Sequence, residues 1–221
     1  IFGNVDQKIV EGSSADLKIL EITVEEKATG EISAGAGIGT DGTAFMFAVS
    51  ENNWLGRGIN LNSSLNMTEE TVSGSIAVTN PNYNYSGNAV SVALDISSSD
   101  RSVNSGYKSQ KTGFAIGTDF EQYQNIYLSP KLIASYEEIT PESNASAQIK
   151  KMDGNYANLD FSYGIAIDKR NQVWQPTQGY RTKFIQSLPI VADSSSVMNG
   201  IDMSSYYTVT DDIIGSIKFY A

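Results

Sequence analysis

From residue 31 onward, apolar and polar side chains alternate with a period of two, in stretches separated by turn-forming clusters. That period belongs to β-strands with one greasy face and one polar face. Ile59, Leu61, Leu65 and Met67 alternate with Asn60, Asn62, Ser64 and Asn66. Val90, Val92, Leu94 and Ile96 are set against Ser91, Ala93 and Asp95, and Leu159, Phe161, Tyr163, Ile165 and Ile167 against Asp160, Ser162, Gly164 and Ala166. The pattern predicts an all-β, antiparallel region over 30–221 with about eleven strands of about nine to eleven residues, the length of a tilted crossing of a ~25 Å apolar band.

The first of these strands is unusual. Ile32, Ala34, Ala36 and Ile38 alternate with Glu31, Ser33, Gly35, Gly37 and Gly39, so one of its faces is largely bare backbone. Such a strand makes few side-chain contacts and pairs weakly. It is expected to be a sheet edge, turning tightly at Asp41-Gly42 into the next strand. Residues 1–29 read as a separate unit: a β-rich run over 18–24, a shorter extended piece over 5–10 and a turn-like stretch over 11–16. Two strands bury too little to fold alone, so this unit is expected to be the end of a larger αβ module.

A soluble sandwich would also alternate, but its outer face is usually rich in Lys, Glu, Thr and Arg. Here the polar face is mostly Ser, Gly, Asn and Ala. The interior charges Asp95, Asp119, Lys131, Asp160, Lys183, Asp202 and Lys218 share that face, and none is expected on the apolar one. A charge facing lipid near mid-bilayer costs about 2–4 kcal/mol, so this partition favours a transmembrane barrel, with a soluble sandwich adhesin as the alternative.

The connections give the sheet two unlike ends. The links at Asp41-Gly42 and Thr68-Glu69 are short, whereas 98–110 and 137–154 read as long polar links. The opposite end collects Trp54, Tyr83, Tyr85, Tyr123, Trp174 and Tyr180, the composition of an interfacial aromatic girdle. Eleven strands leave two raw edges, where unpaired N–H and C=O groups find no water in hydrocarbon. The closing strands are therefore expected beyond residue 221.

Composition narrows the chemistry. The longest apolar run, 44–49, is too short for a helical membrane span. A formal charge of −10 with no basic cluster argues against nucleic acid. Histidine and cysteine are both absent, which removes imidazole bases, His-ligated zinc and thiolate chemistry. No catalytic residue, metal or cofactor is expected. Gly35-Ala-Gly-Ile-Gly39 is not a phosphate loop, because a strand and not a helix follows it. The acidic pairs Glu25-Glu26, Glu69-Glu70, Glu137-Glu138 and Asp211-Asp212 read as solvated strand ends or turns rather than metal ligands.

Four segments together resemble the BamA family of outer-membrane protein assembly factors. They are Val24-Glu-Glu-Lys-Ala-Thr-Gly30 with the glycine-rich strand, Glu51-Asn-Asn-Trp-Leu-Gly-Arg-Gly58, Val78-Thr-Asn-Pro-Asn-Tyr83, and Asp168-Lys-Arg-Asn171 with Gln175-Pro-Thr-Gln-Gly-Tyr-Arg181. The last is shared with the TamA and two-partner secretion branches, which leaves a polypeptide secretion channel as the alternative. The resemblance implies a barrel of about 16 strands in the bacterial outer membrane. It also implies that residues 1–29 are the end of a periplasmic POTRA domain, with the aromatic-rich turns periplasmic and the long links extracellular. The implied partners are unfolded outer-membrane β-barrel proteins, periplasmic accessory lipoproteins and chaperones, and lipid. The implied action is non-enzymatic: Glu31 to Gly39 form a lateral gate that templates a client strand by β-augmentation.

Overall fold

The computed structural model describes residues 2–14, 16–39, 42–193 and 196–221. Strands β1 (Phe2–Glu11) and β2 (Lys18–Glu26) pair into an antiparallel ribbon, with Val5 opposite Val24 and Ile9 opposite Leu20. All other strands belong to one sheet. It contains β3 (Gly30–Gly39), β4 (Gly42–Trp54), β5 (Ile59–Met67), β6 (Thr71–Tyr83), β7 (Asn88–Arg101) and β8 (Tyr107–Tyr123). It continues through β9 (Ile126–Pro141), β10 (Gly154–Asp168), β11 (Gly179–Ala192), β12 (Met198–Thr210) and β13 (Ile213–Tyr220), with the one-turn helix α1 (Ala147–Lys150) between β9 and β10. The 11 strands lie in chain order, each antiparallel to the next, with β3 and β13 at the two edges. Gly39 pairs with Gly42, so β3 and β4 form the predicted tight hairpin. The predicted turn residue Asp41 lies outside the described residues.

Register sorts the side chains onto two faces. Ser64, Ser75, Asp95, Lys111, Ser135, Asp160 and Ser187, from seven successive strands, line one hollow of about 450 Å³. Only the concave side of a curved sheet brings such distant strands together, so the small polar face points inward. The interior charges predicted for it lie there, including Lys183 paired with Asp202 and Ser204 with Lys218. Opposite them, Phe45, Phe47, Leu94, Phe114, Leu132 and Ile201 stand outward, each between 39 % and 52 % exposed. Among the described residues the only buried hydrophobics are Ala115, Ala145 and Ala166, and no large side chain is fully buried. A soluble sandwich needs a second sheet over that apolar face, and here all 11 strands belong to one layer. The convex face is therefore built for lipid, the medium that barrel walls bury it in.

Three expectations are corrected. Strands reach 17 residues in β8 and 16 in β9, beyond the nine to eleven predicted. The supposed link 98–110 is largely ladder, with only 102–106 off it, whereas 137–154 is a long link as expected but a shorter one, 142–153, because 137–141 belong to β9. Glu137 and Glu138 lie within β9, where Glu137 pairs with Lys111. The reason is common to all three. Beyond the apolar band a strand needs no greasy face, so the backbone ladder continues through Ser, Lys and Asp, with Lys108 Nζ 3.0 Å from Asp100 Oδ2 and Arg101 Nε 3.7 Å from Glu70 Oε2. Among the described residues of the sheet, outward-phase charges occur only towards strand ends, at Glu51, Asp100, Lys108 and Glu138.

The projecting end is tied together by backbone. Gly106 N donates to Arg101 O at 2.8 Å, and Glu142 N donates to Gly106 O at 2.7 Å. Gly106 has φ +74°, and a Cβ there would stand 2.8 Å from Ala145 Cα. Both the left-handed backbone and the backbone contact oppose a side chain. Gly106→Ala should lower the urea midpoint by an amount equivalent to about 1–2 kcal/mol and expose 102–106 to limited proteolysis.

Candidate functional site

Strand β3 pairs along one side only, with β4; its other side carries free backbone N–H and C=O groups among the described residues. Gly35 has one contact for a notional Cβ, Met46 Cε at 3.9 Å, while Gly37 and Gly39 have nothing within 4 Å. Ile32 and Ile38 are 71 % and 89 % exposed. Ser33 Oγ donates to Glu31 Oε1 at 3.3 Å, both on the concave face. An edge with few side-chain contacts is held by backbone bonds, each worth ~0.5–1.5 kcal/mol net. It can therefore pair with another strand at low cost.

The other end of β3 is fastened, a feature that strand periodicity does not reveal. Asn52 donates to Thr29 O from its backbone N at 3.2 Å and from Nδ2 at 3.3 Å. Thr29 Oγ1 donates to Glu51 Oε1, which also accepts from Asn53 N at 2.7 Å. A Cβ on Gly30 would stand 2.7 Å from Glu51 Oε2, so a side chain there would push that carboxylate aside. Thr29, Glu51 and Asn52 thus clasp the entry of β3, while its far half is bare.

The six aromatic residues gather at the end of the sheet that holds this clasp. Trp54 ends β4, Tyr83 ends β6, Tyr123 ends β8 and Tyr180 is second in β11. Register puts all four in the outward phase, with Trp54 opposite Ile59, Tyr83 opposite Asn88, Tyr123 opposite Ile126 and Tyr180 opposite Ser205. Tyr85 and Trp174 lie in turns and are 94 % and 86 % exposed.

The same end carries a charged knot. Arg170 grips Asp168 with two bonds, Nε to Oδ1 at 2.8 Å and Nη2 to Oδ2 at 2.6 Å, and Arg181 Nε stands 3.9 Å from Oδ2. The hydrogen bond to Asp168 holds the Arg170 guanidinium above its ordinary pKa. Asn171 Oδ1 accepts from Thr177 N at 3.1 Å and from Gln178 N at 3.2 Å, closing the link over itself. Gly179, φ +97°, lies so close to Lys169 O that a Cβ would overlap it. The segments 168–171 and 175–181, singled out in the sequence, are therefore one folded unit.

A model of the Omp85 superfamily domain matches residues 53–221. Among solved structures, the chain is similar to the crystal structure of BamA from Haemophilus ducreyi lacking POTRA domains 1-3, with TM-score 0.74 and 17% sequence identity. The match covers 99% of this chain and 46% of that one, so the chain spans about half the length of the relative. At this identity the likeness carries the fold: an antiparallel barrel wall.

Proposed function

The chain belongs to the Omp85 superfamily, and from that premise we propose that it is the front of the barrel of an outer-membrane assembly factor, whose β3 templates client β-barrel proteins at a lateral opening. The observation that carries this reading is the edge itself: one partner strand, exposed Ile32 and Ile38, and no side-chain cover at Gly37 or Gly39. Backbone groups supply the affinity in β-augmentation, and alternate side chains supply the register. No covalent step is needed, in keeping with a chain that lacks histidine and cysteine. The aromatic belt marks the periplasmic boundary of the membrane. The β1–β2 ribbon is read as the end of a periplasmic POTRA domain, facing chaperones and accessory lipoproteins.

A client strand should be captured at β3 in a fixed register. Single cysteines at 32–38 in the intact protein, tested against a stalled client with a cysteine in its docking strand, should give disulfides at one residue offset only. If the client instead cross-links to concave positions such as Ser75 and Ser135 and never to β3, the lumen is the conduit and the secretion-channel reading replaces this one.

A further inference from the structure

We propose that two copies of this protein pair back to back within the membrane, through a row of side chains formed by Tyr163, Gln186 and Asn199 on the convex wall of β10–β12. Register places Tyr163 opposite Gln186 and Gln186 opposite Asn199. All three share the outward phase of Phe161, Phe184 and Ile201, the face that meets lipid. Tyr163 Oη donates to Gln186 Oε1 at 2.8 Å, and Gln186 Nε2 donates to Asn199 Oδ1 at 2.7 Å. The apolar face is thus free of mid-strand charge, as predicted, yet it carries two amides.

The row lies in the middle of the apolar band. Tyr180 of the aromatic belt is opposite Ser205, and from that pair β11 and β12 climb ~16 Å to Gln186 and Asn199, at ~3.4 Å per residue and a tilt of ~40°. In the other direction the first outward-phase charge on β9 or β10 is Glu138, opposite Asn155 and ~20 Å beyond Tyr163 by the same measure. Water is absent from that depth and acyl tails carry no hydrogen-bonding group, so only protein can meet the row.

Counting donors and acceptors shows which protein fits. Both amide oxygens accept within the row, whereas one N–H of Gln186 and both of Asn199 have no partner among the described residues. Leaving them bare in hydrocarbon is costly. Each oxygen keeps a second lone pair, so the row is donor and acceptor at once and complements itself. A second copy brings that row to the same depth by construction. Copies inserted in the same sense are related by a two-fold axis along the membrane normal, which sets equal depths face to face. With the axis between β11 and β12, Gln186 and Asn199 of both copies meet in one cluster, and the spare N–H groups of each find carbonyls of the other. Such hydrogen bonds hold membrane-embedded segments together. Ile201 and Met203, 39 % and 44 % exposed, pack around the cluster. The β3 edge lies across the sheet from β11 and stays uncovered in both copies. This inference needs only the lipid-facing wall and is independent of the insertase proposal.

The first test leaves the row intact. A photoactivatable benzophenone amino acid replaces Ile201 in the intact protein in its native membrane, and in a control replaces Ile76, which is outward on β6 and 43 % exposed. Illumination at 201 should give an adduct of two copies of the chain, at least tenfold more than at 76. Adducts at 201 with lipid alone, or with a different protein, overturn the proposal, and equal yields at both positions reduce it to crowding. The second test measures self-association of the purified protein in lipid vesicles, by energy transfer between donor- and acceptor-labelled copies. Gln186→Leu with Asn199→Leu should weaken it about tenfold, the effect of about one good hydrogen bond, while the barrel stays resistant to heat in detergent. Unchanged association in the folded variant overturns the proposal as well. A protein that remains monodisperse without detergent would instead refute the lipid-facing wall itself.

Discussion

Arginine in place of Phe161 should destabilise the membrane-embedded protein by about 2–4 kcal/mol, whereas Ser162→Glu, one residue away, should change its stability little. Phe161 is opposite Leu132 on one side and Leu188 on the other, all on the convex face. Its ring centroid is 6.1 Å from that of Tyr163. A guanidinium there meets hydrocarbon and no counter-charge. Ser162 is opposite Lys131 and shares a concave hollow with Lys183, so a new carboxylate finds two cations in a wet lumen. Urea titration of the protein folded into lipid vesicles measures both. Equal costs, or the reverse order, would mean that the faces are assigned the wrong way round.

A disulfide joining β3 to the strand that closes the barrel against its free edge should bring client insertion down to background while the barrel stays folded. Its control lies on the other side of the same strand. Ser33 is opposite Ala48 across the β3–β4 ladder, and that pair fused as cystine should leave insertion intact, because the hairpin is never required to part. Insertion of a model client into liposomes, with and without reductant, reads both locks. Unchanged insertion by the edge-locked protein would reduce β3 to an ordinary stave.

Much of the wall was legible because lipid imposes a strict alternation. The strand read at 59–67 is β5 with the same bounds, and eleven strands were counted and found. Strand ends were misread because Ser98, Asp100, Lys108 and Gln110 have the composition of a loop, although they continue the ladder. Periodicity reports the solvent that a side chain meets, and beyond the membrane both faces meet water. The clasp of Thr29, Glu51 and Asn52 was hidden because it joins a linker to a hairpin 22 residues away. Arg170 and Asp168 stood out only through resemblance, since an acid two residues from a base is common in any turn.

The wall is uneven in height, with 10 residues in β3 and 9 in β5 against 17 in β8 and 16 in β9. A longer ladder has more bonds in parallel, so it yields less to a given shearing force. Lateral stress from the bilayer should then be taken up first at β3, which has a ladder on one side only and is bare over its far half, and least at β7–β9, whose long ladders flank each other. Under the proposed function, compliance concentrated in this way would let the front open without the lumen behind it losing its bore. Amide protons in the glycine half of β3 should accordingly exchange with solvent deuterium first, and those shared by β8 and β9 last.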